Sequence, residues 1–154
     1  MKDLTVRSEP IASPTAQALI ARLNAELQGR YPEEGANHFR LDPQEVAPGR
    51  GAFLIATLDG TPVGCGAVRR VDDGIAEIKR MFVDPSHRGQ GIGAAILAAL
   101  ETEARGLGAR RLVLETGHRQ PEAIALYHRA GFTDTPAFGE YVGSRLSVCM
   151  SKDL

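Results

Sequence analysis

The stretch Ile78-Lys79-Arg80-Met81-Phe82-Val83-Asp84-Pro85-Ser86-His87-Arg88-Gly89-Gln90-Gly91-Ile92-Gly93 constrains the fold more than any other part of this chain. It reads as a strand, a short turn, a glycine-rich loop and the first turn of a helix. Arg88, Gly89, Gln90, Gly91, Ile92 and Gly93 set backbone N–H groups at a helix start with little side chain in front of them. Such an arrangement binds a pyrophosphate, because amides and helix dipole both favour an anion there. Glycines admit positive φ and let a ligand approach the backbone closely. Arg88 adds a permanent positive charge beside those amides. The segment therefore points to a phosphorylated cofactor.

The remaining elements narrow the choice. Residues 3–8 suit a short strand, and Ser13-Pro14 a helix start, with a capping hydroxyl followed by proline at the first position. Ala18, Leu19, Leu23 and Leu27 recur at helical spacing up to Gly29. A loop-like stretch over 31–50 has a short helical turn at 42–46. Strands over 53–58, 62–70 and 75–83 are joined by turns at Asp59-Gly60 and Asp72-Asp73-Gly74, a meander of hairpins. A helix over 92–107 carries the stripe Ile96, Leu97, Leu100, Ala104, Leu107, and Gly108 stops it. A strand over 111–116, a helix over 121–130, and strands over 132–133 and 145–151 complete the chain. This order predicts a mixed α/β (α+β) fold around one sheet.

At 154 residues with no linker, repeat or low-complexity segment, residues 1–154 read as a single domain. The formal net charge of -1 lacks the basic surface that nucleic acid requires. Arg69-Arg70 and Arg110-Arg111 read as solvated strand ends. Cys65 and Cys149 belong to no CxxC and read as small buried thiols in a reducing compartment. No stretch suits a signal peptide or a membrane span, so the expectation is a cytoplasmic protein with no membrane partner. His38, His87, His118 and His128 show no metal-ligand spacing, and no metal is implied.

Two cofactor classes fit the loop. Gly89, Gly91 and Ala94 satisfy the dinucleotide pattern GxGxx(G/A), with Glu115 at the end of the next strand. That pattern wants its first glycine almost directly after the strand, yet Asp84 to Arg88 intervene. Hairpins rather than crossovers join the preceding strands, and the chain is short for a nucleotide domain plus a substrate domain. A P-loop is excluded because no Gly-Lys-Ser/Thr follows.

The second class rests on a second motif. Gln120-Pro121-Glu122-Ala123-Ile124-Ala125-Leu126-Tyr127, with Gly131-Phe132 behind it, follows the glycine loop on the next strand–helix unit. Together with Arg88-Gly89-Gln90-Gly91-Ile92-Gly93 it resembles the GCN5-related N-acetyltransferase (GNAT) superfamily. That family carries Gln/Arg-x-x-Gly-x-Gly/Ala and then Asn-x-x-Ala-x-x-Leu-Tyr; here glutamine stands for the asparagine. The resemblance runs from about residue 3 to 152. It implies a mostly antiparallel central sheet flanked by helices, with the strands at 78–83 and 111–116 splayed to admit the pantetheine arm of acetyl-coenzyme A. It also implies that Met81, Phe82 and Val83 supply backbone groups to the thioester and the arm. Gln120 and Ala123 join the loop residues as cofactor contacts, and Tyr127 reaches the cofactor sulfur. Small enzymes of this kind often dimerise, and the apolar last strand is compatible with a homodimer.

The implied reaction moves an acetyl group onto an amine. An alkyl amine with a pKa near ~10.4 is protonated at neutral pH and is then no nucleophile. A base must take its proton, a donor must face the developing oxyanion, and an acid helps the thiolate leave. Tyr127 is the acid candidate, against the alternative of an ordinary core tyrosine. Glu77 is the base candidate, acting directly or through water, against a strand carboxylate paired to Lys79 or Arg70. Strict alternation sets Glu77, Lys79, Met81 and Val83 on one face of the strand and Ile78, Arg80 and Phe82 on the other. For the acceptor, Tyr31, Phe39 and Tyr141 are the leading side chains, with His38, Arg40, Phe138 and Arg145 nearby. The acceptor classes left open are a small, amino-acid-like amine and a protein lysine or N-terminus. A non-catalytic coenzyme A-binding module is the third class.

Overall fold

The computed structural model describes residues 3–32 and 41–154, so His38, Phe39 and Arg40 lie outside the described residues. The strands are β1 (Leu4–Ser8), β2 (Gly51–Leu58), β3 (Thr61–Asp72), β4 (Ile75–Val83), β5 (Arg111–Gly117), β6 (Thr133–Asp134) and β7 (Ser147–Asp153). The helices are α1 (Pro14–Arg30), α2 (Ile92–Gly106) and α3 (Pro121–Arg129). Short 3₁₀ turns occupy Pro43–Val46, Pro85–His87 and Gly139–Tyr141. The strands form one sheet in the order β1-β2-β3-β4-β5-β7-β6. Every pairing is antiparallel except β4 with β5. The expected mixed fold is therefore found.

Local chemistry sets the element ends. The Ser13 hydroxyl accepts the Ala16 N–H at 3.1 Å and caps α1 ahead of Pro14. Asp59-Gly60 closes the two-residue hairpin that pairs Leu58 with Thr61. Gly29 does not stop α1, which runs to Arg30.

The sheet separates two cores. On one side Ile96, Leu97 and Leu100 of α2 pack on Leu54, Val68, Ile78, Leu112 and Leu114, with Tyr127, Phe132 and Met150 beside them. On the other, Leu19 and Leu23 of α1 cover Phe53, Ile55, Cys65 and Phe82. Each fully buried side chain of this size contributes about 1.5–3 kcal/mol, so the two helices are held by their apolar stripes. Leu100 is fully buried, and truncating it to alanine would cost about 2–5 kcal/mol. Cys65 and Cys149 are free and buried, as expected. Burial pushes the Cys65 thiol up to about 12, which leaves it unreactive. Among the described residues no helix is long and apolar enough to cross a membrane.

Three irregularities position the site. First, β4 and β5 pair only from Ile75 opposite Arg111 to Ile78 opposite Leu114. Beyond that point β4 stays with β3 and β5 stays with β7, as far as Gly117 opposite Ser147. A wedge opens between them. Second, β4 bulges opposite Gly66. Ala67 faces Lys79 but Cys65 already faces Phe82, and Arg80 takes φ +59°. This corrects the expected alternation, because the extra residue reverses the phase. Met81 and Val83 join Ile78 on the α2 side, whereas Phe82 joins the α1-side core. Third, β3 bulges between Arg70 and Asp72, which sets Arg69 rather than Arg70 opposite Glu77.

Candidate active site

The glycine loop begins where β4 ends. Asp84 accepts the Ser86 N–H and hydroxyl, each at 2.9 Å, and so fixes the turn Pro85–His87. Arg22 of α1 reaches Asp84 at 2.8 Å. Its hydrogen bond, with those from Ser86, holds the Asp84 carboxyl well below the usual carboxylate range. Gly89 at φ +81° and Gly91 at φ +83° turn the chain into α2. The first helical bond of α2 runs from the Ala95 N–H to the Gly91 carbonyl at 3.1 Å, so the amides of Ile92, Gly93 and Ala94 have no intrahelical acceptor. A Cβ built at Gly89 or Gly91 meets nothing within 4 Å. Donors with open space before them fit the pyrophosphate of coenzyme A. Arg88 differs from the expectation of a lone charge at the amides. Its Nε donates to the Val83 carbonyl at 2.9 Å and its Nη2 to both Glu26 oxygens at 2.9 and 2.7 Å. Arg88 thus pins the loop to α1, with its charge answered by Glu26. Gln90 is exposed on the loop, while the Ile92 side chain drops into the core.

The wedge between β4 and β5 holds a cavity of about 120 Å³. Ile78 to Met81 line it from β4 and Glu115 to Gly117 from β5; Gln120, the N-cap of α3, and Ala123 and Tyr127 within that helix line it as well. Leu23, Leu27 and Tyr31 approach from α1, and Tyr141, Leu146 and Ser147 from the segment before and into β7. The structure therefore brings together Tyr127, Met81, Gln120, Ala123, Tyr31 and Tyr141 from the sequence reading. Phe82 and Val83 turn their side chains into the two cores. Phe138 stands edge-on to Tyr141 at 5.3 Å, and Arg145 is not among the residues lining the cavity.

Tyr127 is both a core residue and a cavity residue. Its ring is buried and edge-on to Phe132 at 5.9 Å. No hydrogen bond engages its hydroxyl among the described residues. Burial first, and then the negative charge of Glu115, raises its pKa, so the hydroxyl keeps its proton at neutral pH.

Glu77 is 1% exposed and fully coordinated. Arg69 donates to Oε1 from Nε at 3.0 Å and Nη2 at 2.7 Å, and the Tyr141 hydroxyl donates to Oε2 at 2.7 Å. Arg69 also pairs with Glu45, so it is the counter-ion of a buried carboxylate and not a solvated strand end. The Glu77 side chain does not line the cavity. Burial first, and then the adjacent Glu77 carboxylate, push the Tyr141 pKa up.

Three further residues that line the cavity, Lys79, Glu115 and Ser147, are not among the candidate site residues of the sequence reading. Lys79 is buried with Nζ 3.8 Å from Glu140, and burial, opposed by Glu77, lowers its pKa. Glu115 accepts the Ser147 hydroxyl at 2.5 Å. Leu112 and Leu114 mark the cored face of β5, so Glu115 falls on the opposite face by alternation, a signal already present in the sequence. Ser147 is placed by register alone, opposite Gly117. Tyr31 accepts the Arg119 N–H at 2.8 Å and lies directly against Gly117.

Parted strands beside an amide-lined glycine loop define an acyltransferase that works on a coenzyme A thioester. The chain belongs to the GNAT acetyltransferase family, whose profile, "Acetyltransferase (GNAT) family", matches residues 16–132. It is 42% identical to an IAA acetyltransferase of Azospirillum brasilense, covering 100% of both chains. A solved structure from Klebsiella pneumoniae, described as a candidate acyl-CoA N-acyltransferase, superposes with TM-score 0.82 at 38% identity over 98% of this chain and 97% of that one. A GNAT family acetyltransferase of Elizabethkingia anophelis, solved with acetyl-CoA bound, shares the fold at TM-score 0.70 and 20% identity over 98% of each chain.

Proposed function

We propose that this enzyme transfers the acetyl group of acetyl-coenzyme A to a primary amine of a small molecule by direct attack in a ternary complex. The observation that carries this reading is the wedge, whose cavity joins the cofactor-side Tyr127 to the α1 side of the sheet. Leu23, Leu27 and Tyr31 line this cavity on the α1 side with largely apolar surface, a lining suited to a small acceptor. The 42% identity to an enzyme named for IAA supports a small-molecule acceptor too.

Acetyl-coenzyme A supplies the activated acetyl thioester. The amides from Gly89 to Gly93 bind its pyrophosphate. The edge of β4 after Ile78 has left β5, so the backbone of Met81, Phe82 and Val83 is offered to the pantetheine arm and the acetyl carbonyl. Gln120 and Ala123 line the arm's far side. Tyr127 holds a proton ready for the departing sulfur. Glu77 is the negative group that draws the acceptor's proton away. Tyr31 and Tyr141 shape the acceptor side.

The test is free-thiol release from acetyl-coenzyme A with a panel of primary amines and amino acids, alongside lysine-containing peptides. Turnover of at least one small amine is expected. Turnover with peptides alone would move the acceptor to protein, and no turnover with any acceptor, despite coenzyme A binding, would leave a binding module.

A further inference from the structure

Glu77 faces a problem of access. It is the buried carboxylate of the site, yet it is walled off from the cavity, and Arg69 occupies its Oε1. Its Oε2 receives the hydroxyl of Tyr141 at 2.7 Å, a buried bond. Tyr141 does line the cavity. Tyr141 is therefore a residue that both lines the acceptor space and bonds the carboxylate through its hydroxyl.

We propose that Tyr141 is a catalytic residue, a proton relay through which the acceptor ammonium, held in the cavity, delivers its proton to Glu77. The proposal rests on the small-amine reading and on Glu77 as the final proton acceptor. In the step, one N–H bond of the ammonium breaks and its proton moves to the Tyr141 oxygen. The O–H bond of Tyr141 breaks in the same motion, and that proton moves to Glu77 Oε2. The amine gains its lone pair, Tyr141 ends neutral, and Glu77 becomes a carboxylic acid. The amine then forms the C–N bond as the C–S bond breaks. Nitrogen sheds its second proton to the Tyr127 oxygen, replacing the one that Tyr127 gives the sulfur, so Tyr127 ends neutral as well. Glu77 returns its proton to solvent by the reverse path once the product leaves.

The surroundings suit a relay better than a free base. Tyrosinate is disfavoured here by burial and by the Glu77 charge, so Tyr141 must pass a proton on as it takes one. Arg69 cannot serve, because a guanidinium keeps its protons. The edge-on ring of Phe138 at 5.3 Å holds the phenol in line. The charged and titratable groups facing this pair are Arg69 of β3, Lys79 and Arg80 of β4, Glu115 of β5, Cys149 of β7 and Glu140 beside Tyr141.

The test compares Tyr141→Phe, Glu77→Gln and the double variant in the full chain. The acceptor is whichever panel amine the wild type turns over fastest. Coenzyme A affinity and melting temperature are measured in parallel to show that each variant is folded and loaded. General acid–base groups contribute about 10²–10⁴-fold, and each single variant should lose kcat on that scale. The double variant should lose no more than either single one, because a relay fails wherever it is cut. Both singles should lose the same acidic limb of the kcat/KM profile. If Glu77→Gln is impaired while Tyr141→Phe keeps wild-type kcat and pH profile, the relay is wrong and Glu77 works by another path. If the two losses multiply in the double variant, the residues act independently and the relay is likewise overturned. If Glu77→Gln is itself fully active, Glu77 is not the acceptor and the proposal falls with it, although acetyl transfer stands.

Discussion

Replacing Gly117 with alanine tests how tightly the cavity wall is built. A Cβ at this position would lie 1.7 Å from the Tyr31 hydroxyl oxygen and 2.2 Å from its Cζ, far inside contact distance. Tyr31 is the C-cap of α1, buried, and its oxygen accepts the Arg119 N–H at 2.8 Å. To restore ordinary contact the ring must retreat by roughly 1.5–2 Å. That breaks the hydrogen bond, worth about 1 kcal/mol, and forces repacking that costs about 1–3 kcal/mol. Gly117 is not at positive φ, so alanine also stiffens the unfolded chain and returns about 0.4–1 kcal/mol. The steric term is the larger, leaving a net loss of about 1–3 kcal/mol. At about 2–4 °C per kcal/mol for a chain of this size, the melting temperature should fall by roughly 2–12 °C. Differential scanning calorimetry of Gly117→Ala, Tyr31→Leu and the double variant completes the cycle. Removing the phenol takes away the clash, so the double variant should be more stable than the summed single effects. A Gly117→Ala protein as stable as wild type, or a strictly additive cycle, would refute the claimed contact.

The other expectations concern the cofactor, the acid and an ion pair. Gly91→Val strains a backbone at φ +83° and fills the space before the loop amides, so calorimetric titration should show coenzyme A affinity falling at least tenfold in a folded variant. Tyr127→Phe removes a hydroxyl that no described residue engages, so affinity for coenzyme A should hold while single-turnover rates drop about 10²–10⁴-fold; full turnover with chemistry rate-limiting would reduce Tyr127 to packing. Asp84 is held below its unfolded value of 3.8 by Arg22 and Ser86, so folding favours its ionised form. The melting-temperature gap between wild type and Asp84→Asn should be constant above roughly pH 5 and close as pH falls below that unfolded value; a gap that widens in acid would contradict the pairing.

The sequence carried the elements well where a local signal exists. Ser13-Pro14 starts α1, Asp59-Gly60 turns the first hairpin, and Ile75 to Val83 is a strand at the boundaries expected. It failed where one residue of slip decides the outcome. A plain turn at Asp73-Gly74 would place Arg70 across from Glu77; the bulge at Val71 moves Arg69 there instead. Nothing local marks that bulge, because its cause lies in the fit of the whole sheet. The same holds at Arg80, whose bulge reversed the expected faces of Met81 and Val83. The motifs led to the cofactor side because amide and glycine geometry is local. The cavity proposed to take the acceptor is lined from α1, β4, β5 and the Tyr141 turn, whose meeting depends on tertiary packing.

The bulge at Arg80 makes β4 two strands in one. Before it, Glu77 and Lys79 lie on the face opposite Ile78, toward α1; after it, Met81 and Val83 join the core under α2. A perfectly alternating strand would tie these halves together, since any change of phase at one end would propagate to the other. Here the phase is reset midway. Under the proposed function, the half before the bulge can accumulate substitutions that retune which acceptor is admitted without shifting the phase of Met81 to Val83, the half proposed to seat the thioester. Removing Arg80 would rejoin the halves and invert one of them, so the length of this strand is under stricter constraint than the identity of many residues along it.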